Sequence, residues 1–230
     1  MVVGVLFILA TVASILGTVT LGSALDEADY LATLGGDGGR ITLAAILFLI
    51  AATSAFGTAV LLFPILRKHA EGLAVGYVGL RAFENVLYIA GVVGLLIMLT
   101  VSESDAVSTA GALDLRLVGV ALLALHSWSV LLGTLVFAGL GSLTLNSVLY
   151  RSRLVPRWLS AWGLIGAAGI LIYGLLGVFG VSSGLGSPYM LLAMPLAVQE
   201  MVFAGWLIVR GLQPHEAQLR RTAEPHVVAA

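Results

Sequence analysis

Six long apolar runs separated by short polar connections organise this chain of 230 residues. They occupy residues 2–25, 41–66, 73–101, 117–150, 158–181 and 189–212, and each reaches the ~20 residues that a helix needs to cross the hydrocarbon core of a bilayer. The pattern predicts an all-α protein: a polytopic membrane helix bundle with six transmembrane helices over residues 1–212, followed by a disordered cytoplasmic tail over residues 213–230. The fourth run, 34 residues long, would make about 50 Å of straight helix against a core of about 30 Å, so it must tilt, project or break. Gly139 and Gly141 are its candidate weak points, with an interfacial approach over residues 113–120 as the alternative. A signal peptide competes for the first run, because Gly22, Ser23 and Ala24 resemble a cleavage site. The run lacks a basic n-region and a short h-region, so a retained helix is expected.

Charge sets the orientation. Arg67, Lys68, Arg151, Arg153, Arg157, Arg210, Arg220 and Arg221 all fall on the connections of one side, which the positive-inside rule assigns to the cytoplasm. A multi-pass protein of the cell membrane with both termini cytoplasmic follows. The opposite connections carry Asp26, Glu27, Asp29, Asp37, Glu103, Asp105 and Asp114. Composition agrees: 60% of residues are hydrophobic, 10% are charged and the mean hydropathy is +1.08, whereas a soluble domain is about 25% charged. The partner implied is the lipid bilayer, and no basic face for nucleic acid remains.

Ionisable residues inside the apolar runs mark where function should be sought, because a charge in hydrocarbon costs several kcal/mol and usually faces the bundle interior. Arg81, Glu84, His126 and Glu200 are such residues, with Asn85 and Gln199 beside them as further members of a candidate polar site. Glu84 lies 12 residues beyond Gly72 and Glu200 lies 12 beyond Pro188, about 18 Å into the membrane from opposite sides. Arg81 and Glu84, three apart, share a helix face. If Arg81 neutralises one carboxylate, the other must hold a proton, pair with a charged His126 or bind a cation. Pro195, five residues before Glu200, is expected to interrupt its helix and free a backbone carbonyl beside the site. His126 is about 15 Å inward counted from Arg116 but about 36 Å from Tyr150. Neighbouring Trp128 favours the second count, an interfacial histidine over a midplane proton relay.

Inventory removes several chemistries. Cysteine is absent, the one lysine, Lys68, sits at the membrane edge, and the histidines at 69, 126, 215 and 226 lack metal-site spacing. No cofactor or metal is expected, and no nucleophile–base set points to an enzyme. Glycines at 72, 76 and 79 in the third run, and at 163, 166, 169, 174, 177 and 180 in the fifth, supply small faces for close helix contact within the bundle or in a homo-oligomer. The spacing from Arg67 to Gly79 repeats from Arg151 to Gly163, a faint hint of an internal repeat.

The segments at 4–13, 72–84, 150–160 and 195–211 resemble the bacterial domain-of-unknown-function family 4386. The Gly76-Tyr77-Val78-Gly79-x-Arg81-x-x-Glu84 run and the Glu200-Met201 step coincide with that family's pattern. The resemblance implies a small bacterial multi-span protein and no particular activity. Family members often carry a basic segment ahead of the first helix, absent here, which implies a start upstream of Met1. Two functions then stand side by side. One is a transporter or permease-like protein with a midplane site for a proton, cation or small solute. The other is a non-catalytic sensor or partner subunit whose buried charges fix helix packing.

Overall fold

The computed structural model describes residues 1–25, 34–104, 112–181 and 188–212, with backbone alone at 112–116. The tail at 213–230 and most of the acidic connections lie outside the described residues. The fold is all-α, with no strand among the described residues. Five helical stretches are long and apolar enough to cross a membrane: Val2–Leu21, Leu34–Glu103, Leu117–Ser152, Arg157–Val178 and Pro188–Val209.

The elements are α1 (Val2–Leu21), α2 (Gly38–Glu103), α3 (Ala112–Val130), a π-helical segment (Leu131–Phe137), α4 (Ala138–Ser152), α5 (Arg157–Val178) and α6 (Met194–Val209). Drawn straight, the 66 residues of α2 would run about 100 Å. They do not: Ala70 leaves the helical region (φ −160°, ψ 85°), and the amide of Gly35 donates to Ser102 Oγ at 2.7 Å. The chain therefore folds back on itself at Ala70. The turn falls where Arg67, Lys68, His69 and Glu71 interrupt the apolar run, since those side chains seek water. We refer to residues 38–69 and 71–103 as the two arms of α2.

Two apolar clusters hold the bundle. One joins Phe7, Leu62, Leu66, Tyr77, Leu149, Leu154, Leu159, Phe203 and Leu207, with the Phe7 and Phe203 rings edge to face at 5.5 Å. It gathers at one end the start of α1, the bend of α2, the α4–α5 connection and the close of α6, so the basic connections within the described residues share that end. The α4–α5 turn is tight because Arg153 takes a left-handed conformation (φ 53°) and Pro156 caps α5. The second cluster, at the other end, joins Leu21, Leu34, Ile41, Phe48, Leu95 and Met98. Between the two levels lie the buried polar residues Ser54, Thr58, Arg81, Ser142, Asn146 and Gln199.

The long fourth run is a single helical path whose irregularity is not at Gly139 or Gly141. Both glycines sit inside regular α4, and residues from Ala112 onward are already helical. The change is the π-helical segment just before them. Each π turn carries an extra residue, which shifts the faces on either side of it. Gly133 lets this segment close on the second arm of α2: a Cβ there would lie 3.2 Å from the Glu84 carbonyl and 3.3 Å from Leu87. Phe137 stacks on Phe83 at 5.5 Å nearby.

Candidate functional site

Arg81 is the centre of the polar level. It is 5% exposed, one turn beyond Tyr77, and its guanidinium lies 5.7 Å from the Tyr77 ring centroid. Across from it α4 presents Gly141, where a Cβ would stand 3.7 Å from Arg81 Nε, in ordinary contact with the side chain. The local i,i+3 spacing brings Glu84 round to Arg81, and Nη1 donates to both carboxylate oxygens at 2.9 Å. From α6, Glu200 places Oε1 3.8 Å from Arg81 Nη2, and Ser142 of α4 donates to the same oxygen at 3.4 Å. One guanidinium thus faces two carboxylates from two helices.

The other side chains singled out in the sequence divide. Asn85 sits beside Glu84 with Oδ1 buried and unbonded. Gln199 is buried but faces away from Arg81, donating to the Leu159 carbonyl at 3.2 Å and to Asn146 Oδ1 at 3.4 Å. His126 stands apart: Nδ1 bonds the Gly91 carbonyl at 2.8 Å, about 10 Å along the arm from Glu84. Pro195 does not interrupt a helix. It occupies the first turn of α6, where the absent N–H would have had no intrahelical partner and the fixed φ suits a helix start. No carbonyl is freed beside Glu200 by that route.

Tyr77, Ser142, Asn146 and Gly141 complete the surroundings, and reading the sequence by charge alone passed over them. Tyr77 is one turn before Arg81, and Ser142 and Asn146 are one turn apart on a helix that also carries Thr144 and Ser147, so the i,i+4 spacing alone puts the two on one face. The Asn146 side chain donates to the Ser142 carbonyl at 2.9 Å. Around the pair, Tyr77 Oη, Arg81 Nε and Asn85 Oδ1 are buried without a well-formed hydrogen bond. Such groups are costly unless a water or a ligand completes them. Among the described residues no group of three or more His, Cys, Asp or Glu side chains could hold a metal ion.

The family model described as Domain of unknown function (DUF4386) matches residues 2–211. The chain belongs to this family. No curated protein and no solved structure matches it. In this DUF4386 chain the matched span covers every helix described above, so the Arg81 cluster lies within the family's own region and not in an appended segment.

Proposed function

We propose that the chain is a bacterial cell-membrane protein with six crossings and both termini in the cytoplasm, acting as a transporter or permease-like protein for a proton, cation or small solute. The fold-back at Ala70 supports six crossings, because each arm of α2 is long enough to span alone. The shared end of the basic connections supports the orientation. The observation that carries the function is the charge balance at Arg81: one cation faces Glu84 and Glu200, whose side chains are 12% and 25% exposed. Glu84 takes the short contacts, leaving Glu200 as the carboxylate that binds a proton or cation. Tyr77 Oη, Arg81 Nε and Asn85 Oδ1 offer a hydroxyl, a donor and an acceptor to a solute.

The bidentate Arg81–Glu84 contact also favours the second reading, a sensor or partner subunit whose charges only fix helix packing. Glu200→Gln separates the two, since it keeps shape while removing the titratable charge. In the transport reading, liposomes carrying the protein move protons or take up a cation or solute, and Glu200→Gln abolishes this with folding intact. Identical thermal-shift profiles for wild type and Glu200→Gln, at two pH values and across a broad panel of ions and solutes, would favour the packing role.

A further inference from the structure

A second feature lies between the two arms of α2. There the two arms leave a groove of about 390 Å³ lined by Val60 and Phe63 from the first arm and Val75, Val78 and Gly79 from the second. Every lining residue is apolar, and the volume falls within the range of about 300–1,000 Å³ typical of small-ligand sites. Val60 is 48% exposed and Val75 57% exposed, so the groove opens onto the bundle surface. Gly72 and Gly76 are not part of the groove's lining, but their i, i+4, i+7 spacing with Gly79 puts all three on one side of the second arm, leading to the bend at Ala70; a Cβ at any of them would meet nothing within 4 Å. With no side chain at these three positions, the backbone there is open to a neighbouring hydrocarbon chain.

At the bend the chemistry changes sign. Arg67, one turn beyond Phe63, holds its guanidinium 5.8 Å from the Phe63 ring centroid, which fixes the cation over the groove's end. Arg67 and Lys68 are exposed, and among the described residues neither pairs with a carboxylate, Glu71 included. With no carboxylate partner among the described residues, the guanidinium's N–H groups are able to donate to a phosphate. We propose that this groove and its two cations form a site for an anionic phospholipid, one acyl chain lying along Gly79, Gly76 and Gly72 and the phosphate held by Arg67 and Lys68. The charge selects this occupant over a second copy of the chain. Two copies meeting there about a two-fold axis along the membrane normal would bring their Arg67–Lys68 ends side by side.

The site rests on the six-crossing reading, which puts the bend at the cytoplasmic interface, but not on Glu200, so the test reads lipid and not transport. Full-length protein in detergent is titrated with phosphatidylglycerol or phosphatidylcholine and weighed by native mass spectrometry. One phosphatidylglycerol should be retained with a preference of about thirtyfold over phosphatidylcholine, in line with two basic residues at an anionic headgroup. Arg67→Gln with Lys68→Gln should reduce that preference to parity. Gly79→Leu should lower retention of both lipids while the thermal unfolding midpoint stays at the wild-type value. Val75→Trp, at an exposed position, is the second groove-filling variant should Gly79→Leu fold poorly. A preference unchanged by the double substitution, retention unchanged by both groove-filling variants, or a dimer that the groove-filling variants dissociate would each overturn the proposal.

Discussion

The second arm of α2 and helix α5 begin alike, each following a basic hairpin, with Arg67 to Gly79 and Arg151 to Gly163 equally spaced and glycine recurring every three or four residues. Their surroundings are opposite. In α5, Gly163 receives the side-chain amide of Asn146, Gly166 the backbone of Leu196, Gly169 the Leu192 carbonyl and Gly174 the Leu135 side chain. In α2, Gly72, Gly76 and Gly79 receive nothing. A glycine track in a membrane helix thus permits a close approach without specifying one. What fills the α5 track includes the amide of Asn146, whose polar partners Gln199 and the Ser142 carbonyl lie inside the bundle. The α2 track points outward, where lipid serves as well as protein.

The largest effect that would break this contrast is at Gly166. A Cβ there would stand 2.7 Å from the Leu196 nitrogen and 2.8 Å from its Cα, and backbone cannot swing aside as a side chain can. Gly166→Leu should force α5 and α6 apart at a cost of about 3 kcal/mol or more, read as lost monodisperse protein on gel filtration in detergent. Gly76→Leu, made in parallel, should elute as wild type. Equal behaviour of the two variants would mean that the tracks are not different in kind.

The approximate limits of the apolar helices and the meeting of Arg81 with Glu84 could be read from the chain because each rests on a strong one-dimensional signal. Twenty apolar residues cannot stay in water, and a three-residue separation on a helix leaves little choice of face. Glu200 reaches the same level through depth counted from each interface. Which way an uncharged residue faces was much less legible. Lipid and bundle core are both apolar, so hydropathy carries no inward or outward direction, and the two glycine tracks read alike. Gln199 illustrates the same limit, since adjacency to Glu200 in sequence places it on another face, against Asn146 and Leu159. The π-helical segment has no composition of its own; Leu131–Phe137 reads as ordinary helix, and the glycines that looked weak lie just beyond it. Pro195 misled for a related reason: hydropathy cannot tell the first turn of a helix from its middle.

A smaller effect is expected at Gly163, where the obstacle is a side chain. A Cβ there would collide with the Asn146 amide, which can rotate, but only by giving up its bond to the Ser142 carbonyl and its contact with Gln199. Gly163→Ala should cost about 1–3 kcal/mol, measured by reversible unfolding in mixed micelles. Pairing it with Asn146→Ala sharpens the result. If the cost comes from the displaced amide, the double variant should lose less than the sum of the two single ones.

The smallest effect should have the opposite sign. Glycine in a helix interior is less favourable than alanine by up to about 1 kcal/mol, because it has more backbone freedom to lose. At Gly76 the added methyl meets no atom of the chain, so no contact term opposes that gain, and Gly76→Ala should raise the unfolding free energy by about 0.5–1 kcal/mol. The same substitution at Gly163 lowers it, although both glycines lie in the turns that follow a basic hairpin. The sign separates two interiors that hydropathy cannot distinguish. Were Gly76→Ala to destabilise the protein in lipid bilayers but not in detergent, the α2 track would be shown to bear a tight contact that only the membrane supplies. The cost should then fall when phosphatidylglycerol is left out of the bilayer if that contact is an acyl chain, and should depend on protein density if it is a second copy. A gain in both media, the expected result, would show that whatever lies along the α2 track yields to a single methyl, whereas the Gly163, Gly166 and Gly169 positions of α5 meet atoms that stand too close to admit one.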